Sequence, residues 1–335
     1  MRYAVWNNKG GVGKTFLSFV LSTEMANDLP TRNVILVDMC PQANVSEIIL
    51  GGNGNGGTEI LDQLIKEQRT VGGYFDERIS SPNQLTGTEE KYLLKAQAFN
   101  SNMPSNLWLI AGDPSLEVQA QAISQISGQM LPVNVWLNVH NWLKDLIDAC
   151  SIKLGEDITV FIDCNPSFAV YTEIAMVAAE RVIVPCTSDG SSARAINNIG
   201  SLIFGIGVNS TYNQVNFSGR ARNFKITMPK IYTVVFNRST QFNERASKAF
   251  RAMFGAIKNK VQELKDIAPS DAFDKNLYFE EIPDYHSATI VSSHLGKPLY
   301  SIFPGSYQVY EENPQLNFDP LDRYKKAIGR VLSKL

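Results

Sequence analysis

Eight residues near the start of the chain, Asn8-Lys9-Gly10-Gly11-Val12-Gly13-Lys14-Thr15, combine the residue types that grip a phosphate chain. Their three glycines remove side chains that would keep backbone N–H groups away from an anion, and they tolerate positive φ. Lys14 supplies a point charge to the outer phosphates and Thr15 a hydroxyl for Mg²⁺, while the helix that begins here adds the partial positive charge of its N-terminus. The pattern is G-x-x-x-x-G-K-[ST] with Asn8 standing for the first glycine. It points to a nucleoside triphosphate site. Lys9 is a further cation that such a loop does not require.

Two carboxylates sit where such a site would use them. Asn33-Val34-Ile35-Leu36-Val37-Asp38 and Ile158-Thr159-Val160-Phe161-Ile162-Asp163 are apolar, β-branched runs, each ending in an acid. Runs of this kind read as buried parallel strands, and in open α/β sheets ligands bind at the carboxyl ends of the strands. Four hydrophobic residues followed by an acid, downstream of a phosphate loop, is the Walker B arrangement that holds Mg²⁺ directly or through water.

The elements that must position these residues alternate along the chain. Tyr3–Trp6 predicts a strand and Phe16–Leu21 the helix after the loop; strands follow at 106–112, 181–185, 230–237 and 277–282, separated by helices at 136–150, 171–179 and 243–265. This alternation implies an α/β fold, a mostly parallel twisted sheet with helices on both faces, as a single domain over residues 1–335. Residues 51–57, all glycine or asparagine, read as a flexible linker. The stretch 66–105 reads as a polar insertion with little core. Residues 321–335 form an amphipathic C-terminal helix with Leu321, Tyr324, Ile328, Val331, Leu332 and Leu335 along one stripe.

Composition excludes several classes. The 335 residues are 44% hydrophobic, ample for a core, and carry a net charge of −2, so binding to nucleic acid needs a local patch. No apolar run approaches the roughly 20 residues that span a bilayer, and Met1-Arg2 leads straight into the first strand, which predicts a cytoplasmic protein. Cys40, Cys150, Cys164 and Cys186 lack C-x-x-C spacing, which argues against a zinc site, a disulfide framework or a cysteine-held cluster and for buried small hydrophobes.

The chain resembles the ParA/MinD (Soj-like) family of deviant Walker A P-loop ATPases. The resemblance rests on Lys9-Gly10-Gly11-Val12-Gly13-Lys14-Thr15 for KGGxGK[ST] and on Asp38-Met39-Cys40-Pro41-Gln42-Ala43-Asn44 for DxDPQ[GA]N. Asp163-Cys164-Asn165-Pro166-Ser167, Val184-Pro185, Ile282-Pro283 and Gly296-Lys297-Pro298 echo later motifs. The resemblance implies a P-loop NTPase fold, ATP and Mg²⁺. Lys9 is then the signature lysine that reaches the partner's ATP across a sandwich homodimer. Residues Gly10, Gly11, Val12, Gly13, Lys14, Thr15 and Phe16 cradle the phosphates, Thr15, Asp38 and Asp163 organise the metal, and Asn237 and Pro283 lie near the adenine. Lys9, Lys14 and Asp38 carry the catalytic roles.

One departure bears on turnover: the family's second acid, which orients the attacking water, falls on Cys40. A thiol has no carboxylate lone pairs and is mostly protonated near neutral pH, so hydrolysis is expected to be slow or to rest on another group such as Asp38. The resemblance further implies non-specific DNA, a ParB-like or adaptor partner, a nucleoid-associated location, and partition of a plasmid, chromosome or other large cargo. Arg220, Arg222, Lys225 and Lys230, and then Arg245, Lys248, Arg251, Lys258 and Lys260, are the candidate phosphate contacts on DNA. A MinD-like membrane role for the C-terminal helix, and a nucleotide-dependent scaffold with little hydrolysis, stay open.

Overall fold

The computed structural model describes the chain except for residues 130, 156, 189, 240, 243, 244 and 247, and, for side chains, residues 190, 191, 241, 242, 245 and 246. Eight strands form the central sheet: β1 (Arg2–Val5), β2 (Asn33–Met39), β3 (Leu94–Lys95), β4 (Leu107–Ile110), β5 (Ile158–Cys164), β6 (Arg181–Cys186), β7 (Lys230–Ser239) and β8 (Phe273–Pro283). Their order across the sheet is β8-β7-β6-β1-β5-β2-β4-β3. Every pairing is parallel except the short edge strand β3 against β4.

The apolar runs need no polar alternation because both faces of the sheet are covered. Ile35, Val37, Val160 and Ile162 point into one core, and Val34, Leu36 and Phe161 into the other, the two-residue period of a strand. Helices Trp142–Leu154, Val170–Ala178, Gly190–Phe204 and Lys248–Ile267 close the first face. The helix Lys14–Asp28 and the C-terminal helix Phe318–Leu332 close the second. The register sets Asp38 beside Asp163, and Asp163 beside Val5 at the end of β1. Both acids and the glycine loop thus meet at one edge.

Several expectations are corrected. Residues 66–105 do contribute core: Tyr74, Phe75 and Tyr92 are fully buried, and the segment supplies β3. Arg78 in the helix Val71–Ser80 is only 2% exposed, its guanidinium paired with Asp145 at 3.0 Å and packed on the rings of Tyr74 and Trp142. A buried cation among scattered aromatics leaves no periodic signal, which is why the stretch reads as solvated. The helix predicted over 136–150 is two, Val135–His140 and Trp142–Leu154, broken at Asn141. The one predicted over 243–265 begins at Lys248, with Arg245 in a two-residue strand before it and its side chain outside the described residues. The helices Gly190–Phe204, Phe217–Asn223 and His286–Leu295 were not foreseen.

The run at 51–57 is a packed turn, not a linker. Gly52 N–H donates to Glu47 O at 2.9 Å, Gly57 N–H to Gly52 O at 3.0 Å, and Asn53 N–H to Ser293 O at 3.1 Å. Gly52 has φ +100, and a Cβ there would fall 2.3 Å from the backbone oxygen of His294. Gly52→Ala is therefore expected to destabilise the protein by about 2–4 kcal/mol in denaturant melts, against roughly 1 kcal/mol for Gly56→Ala, whose positive φ faces open space. Equal losses at the two positions would contradict the packed turn.

Candidate functional site

Gly11 (φ 74) and Gly13 (φ 84) adopt the left-handed conformation that lets the loop curl between β1 and the helix Lys14–Asp28. Gly13 caps that helix without a side-chain hydrogen bond, and no acid occupies its first turn, so its leading N–H groups face the cleft. A Cβ on Gly10 or Gly11 would meet nothing within 4 Å, whereas one on Gly13 would lie 2.3 Å from Asn237 Nδ2. The loop is open on its cleft side and pinned on the other.

Both lysines are held within the chain. Lys14, 6% exposed, donates from Nζ to the Lys9 carbonyl at 2.8 Å. Burial pushes its pKa down, and the carboxylate of Asp163 opposes that shift. Lys9 donates from Nζ to Thr187 Oγ1 at 2.9 Å, just past β6, and its backbone N–H donates to Asn7 Oδ1 at 3.0 Å. Thr187 carries no motif and was not anticipated.

The two acids differ in what remains available. Asp38 is fully buried; Oδ1 accepts from Cys40 N–H at 3.1 Å, and Oδ2 accepts from Ser46 N–H at 3.1 Å and Ser46 Oγ at 2.8 Å. Asp163 accepts from Ser18 Oγ at 2.9 Å through Oδ1, while its buried Oδ2 has no hydrogen-bond partner among the described residues. Burial raises Asp38 to about 7, with the neighbouring Asp163 charge adding to the rise. Asp163 is raised to about 6 by burial, against the hydroxyls of Ser18 and Thr15 and the charge of Lys14. An orphaned carboxylate oxygen beside a second carboxylate is a site short of positive charge. Asp163 Oδ2 and the Thr15 hydroxyl therefore fit a hard divalent cation, which favours oxygen ligands, with the already hydrogen-bonded Asp38 beside them adding negative charge. Ser18 and Ser46, which set these acids, lie outside the motifs; the i, i+4 step from Lys14 to Ser18 is the one sequence signal for either.

Cys40 lines the phosphate cleft with Gly11, Gly13, Lys14, Thr15 and Cys164. Burial, then the charge of Asp38, pushes its thiol to about 12, so it stays protonated and cannot serve as a base. Asp38 does not replace it: both its oxygens are turned inward to Ser46 and the Cys40 backbone. All four cysteines are buried and reduced.

Beyond Gly13 a second cleft opens, lined by Phe16, Asn237, Arg238, Pro283, Tyr285 and Tyr324. Asn237 donates from Nδ2 to the Val12 carbonyl at 3.0 Å, which ties the end of β7 to the glycine loop. Asn237 and Pro283, near the ends of β7 and β8, thus both line this second cleft.

The basic residues fall into two groups. Arg220 and Arg222 lie in the helix Phe217–Asn223, Lys225 follows it and Lys230 begins β7; Arg220 is tied to Ser127 O at 3.2 Å. Lys248 and Arg251 open the helix that follows the other end of β7, and Lys258 lies over the rings of Phe236 and Phe279 further along it. The apolar stripe of the C-terminal helix is spent on the core: Leu321, Tyr324, Ala327, Ile328 and Val331 are buried in it. Among the described residues no helix is long and apolar enough to cross a membrane.

Residues 2–214 match the family model described as an AAA domain. The chromosome partitioning protein ParA of Caulobacter vibrioides is 24% identical over 252 residues, which cover 75% of this chain and 76% of the relative. Apo McdA of Cyanothece superposes with a TM-score of 0.62 at 14% identity, covering 99% of this chain and 98% of that one. A protein of Borrelia burgdorferi described as a plasmid partition protein, bound to AMPPNP, has a TM-score of 0.52 at 16% identity over 100% of this chain and 98% of its own. With the glycine loop, the paired acids and the parallel sheet in the places described, these likenesses establish that the chain belongs to the ParA/MinD-type family of P-loop ATPases.

Proposed function

We propose that the chain is a ParA-like ATPase that binds Mg-ATP, closes into a sandwich homodimer, holds DNA without sequence specificity and positions a plasmid, chromosome or other large cargo with a ParB-like or adaptor partner. The observation that carries this reading is the meeting of Lys14, Asp38 and the orphaned Asp163 Oδ2 at one edge of the sheet, under an uncapped helix N-terminus. The loop N–H groups and Lys14 bind the phosphates, and Phe16, Asn237 and Pro283 flank the base. Thr15 and Asp163 would hold Mg²⁺, with Asp38, whose oxygens already accept from Ser46 and the Cys40 N–H, acting on it through water; the ion would neutralise phosphate charge. Lys14 exchanges its bond to the Lys9 carbonyl for a phosphate oxygen. Lys9 exchanges Thr187 for the outer phosphate of the partner's nucleotide, so that ATP, and not ADP, completes the dimer. Such a protein would work in the cytoplasm on the nucleoid.

Cys40 favours a second form of this reading, a nucleotide-dependent scaffold that changes partners with little turnover, because no ionised group at its position aligns water. The MinD-like alternative loses support, since the stripe that would enter a membrane is buried. Sedimentation velocity with Mg-ATP, with Mg-ADP and without nucleotide tests the dimer, and co-sedimentation with random-sequence DNA and with anionic vesicles tests the surface. We expect an ATP-dependent dimer that carries DNA and not vesicles, and a monomer for Lys9→Ala with ATP. A dimer indifferent to nucleotide, or Lys9→Ala dimers with ATP, would sink the switch.

A further inference from the structure

Arg238 stands where β7 ends and differs from its surroundings in three ways. It is an arginine in the left-handed region, φ 58, a conformation that costs a non-glycine residue about 1 kcal/mol or more. Its backbone N–H donates to Asn237 Oδ1 at 3.1 Å, and Asn237 is itself bound to the loop through Val12 O. The glycine loop therefore sets the direction in which Arg238 leaves the strand. Its side chain is exposed and makes no hydrogen bond or ion pair with any described residue.

Position gives that cation a target. The phosphate cleft and the base cleft share three lining residues, Gly13, Phe16 and Arg238, and Arg238 alone of the three is charged. Its Nε lies 3.9 Å from where a Cβ on Gly13 would be. Between the base and the outer phosphates a nucleotide presents the ribose and one anion, the α-phosphate. We propose that Arg238 is a nucleotide-binding residue that closes over the α-phosphate at the junction of the two clefts. The inference rests on the nucleotide reading of the clefts and assigns them a cation that the P-loop pattern does not contain. A planar guanidinium suits a phosphate with two free oxygens, and a rim position lets it close after the nucleotide enters. Glycine would take the same turn without strain, so an arginine there is explained by its side chain.

Isothermal titration of Mg-ATP and Mg-ADP into the wild type, Arg238→Gly, Arg238→Ala and Arg238→Lys tests this, with thermal melts of the nucleotide-free proteins alongside. Arg238→Gly is expected to melt at or above the wild-type temperature yet bind ATP and ADP both about tenfold more weakly, as a charge-assisted contact at an exposed rim would. Arg238→Lys is expected to recover part of the loss. Wild-type affinity in Arg238→Gly would show the residue to be merely tolerated in its turn. A loss confined to ATP would place the cation at the outer phosphates. Either result overturns the assignment, and the nucleotide reading survives both. Failure of the wild type to bind either nucleotide would instead overturn that reading, and this inference with it.

Discussion

Cys40→Asp is expected to raise ATP turnover at least tenfold, measured as steady-state phosphate release with Mg²⁺ and DNA present, while changing ATP affinity little. The position lines the phosphate cleft beside Lys14 and Thr15, and in the native chain it holds a thiol kept protonated by burial and by the charge of Asp38. A positioned carboxylate that accepts a proton from, or aligns, a nucleophile contributes about 10²–10⁴-fold in general acid–base catalysis. The lower end is expected here, because a carboxylate introduced beside Asp38 and Asp163 is itself held partly protonated by its neighbours. The same crowding predicts a lower melting temperature for the metal-free variant, with recovery when Mg-ATP is added. Cys40→Ser, which keeps a neutral group, should leave turnover unchanged. Turnover in Cys40→Asp no faster than in the native chain would mean that hydrolysis is organised by another group or by a bound partner.

The second large effect is on stability. Asp38 and Asp163 are both raised in the folded chain, to about 7 and about 6, so between about pH 4 and pH 7 the native state holds protons that the unfolded state has released. Stability contributed by these groups is therefore greatest at acid pH and is lost as pH rises toward 7. The two carboxyls lose this contribution together, because ionising either one raises the cost of ionising the other. Glu24, raised to about 7 by burial, adds to the wild-type slope, so the discriminating comparison is with Asp163→Asn. That variant keeps an oxygen to accept from Ser18 and removes both one titration and the like charge facing Asp38. Urea melts from pH 4.5 to 7.5 should show a clearly shallower decline for Asp163→Asn, and Mg²⁺ with ATP should flatten the wild-type curve by favouring the ionised pair. Parallel curves for the two proteins would refute the strained pair.

Much of the site was legible because its chemistry is local in sequence. A glycine loop between an apolar strand and a helix forms in place, so Lys14, Thr15 and the left-handed Gly11 and Gly13 follow from eight consecutive residues. Asp38 and Asp163 were legible from the burial of the runs they end, since a fully buried parallel strand shows itself as an unbroken apolar segment. Signals failed where a residue's surroundings come from elsewhere in the chain. The run at 51–57 has the composition of a linker, and only the backbone of the helix His286–Leu295 turns it into a turn that excludes a Cβ. Arg78 reads as a solvated charge until Asp145 and two aromatic rings enclose it. The C-terminal stripe suits a membrane surface or a core equally by period, and the free face of the sheet decides between them.

By itself the amino-acid sequence determined the class of sheet, the phosphate grip, the acids around it and the anomaly at Cys40, because each depends on residue type over a few neighbouring positions. Tertiary structure alone decided which lone pairs are spent. It turns Asp38 inward onto Ser46, leaves Asp163 Oδ2 without a partner, rests Lys9 on Thr187, and sets Arg238 between two clefts. Hydrogen bonds between groups scores of residues apart require the strand order and register to be set first, and no local pattern encodes that placement.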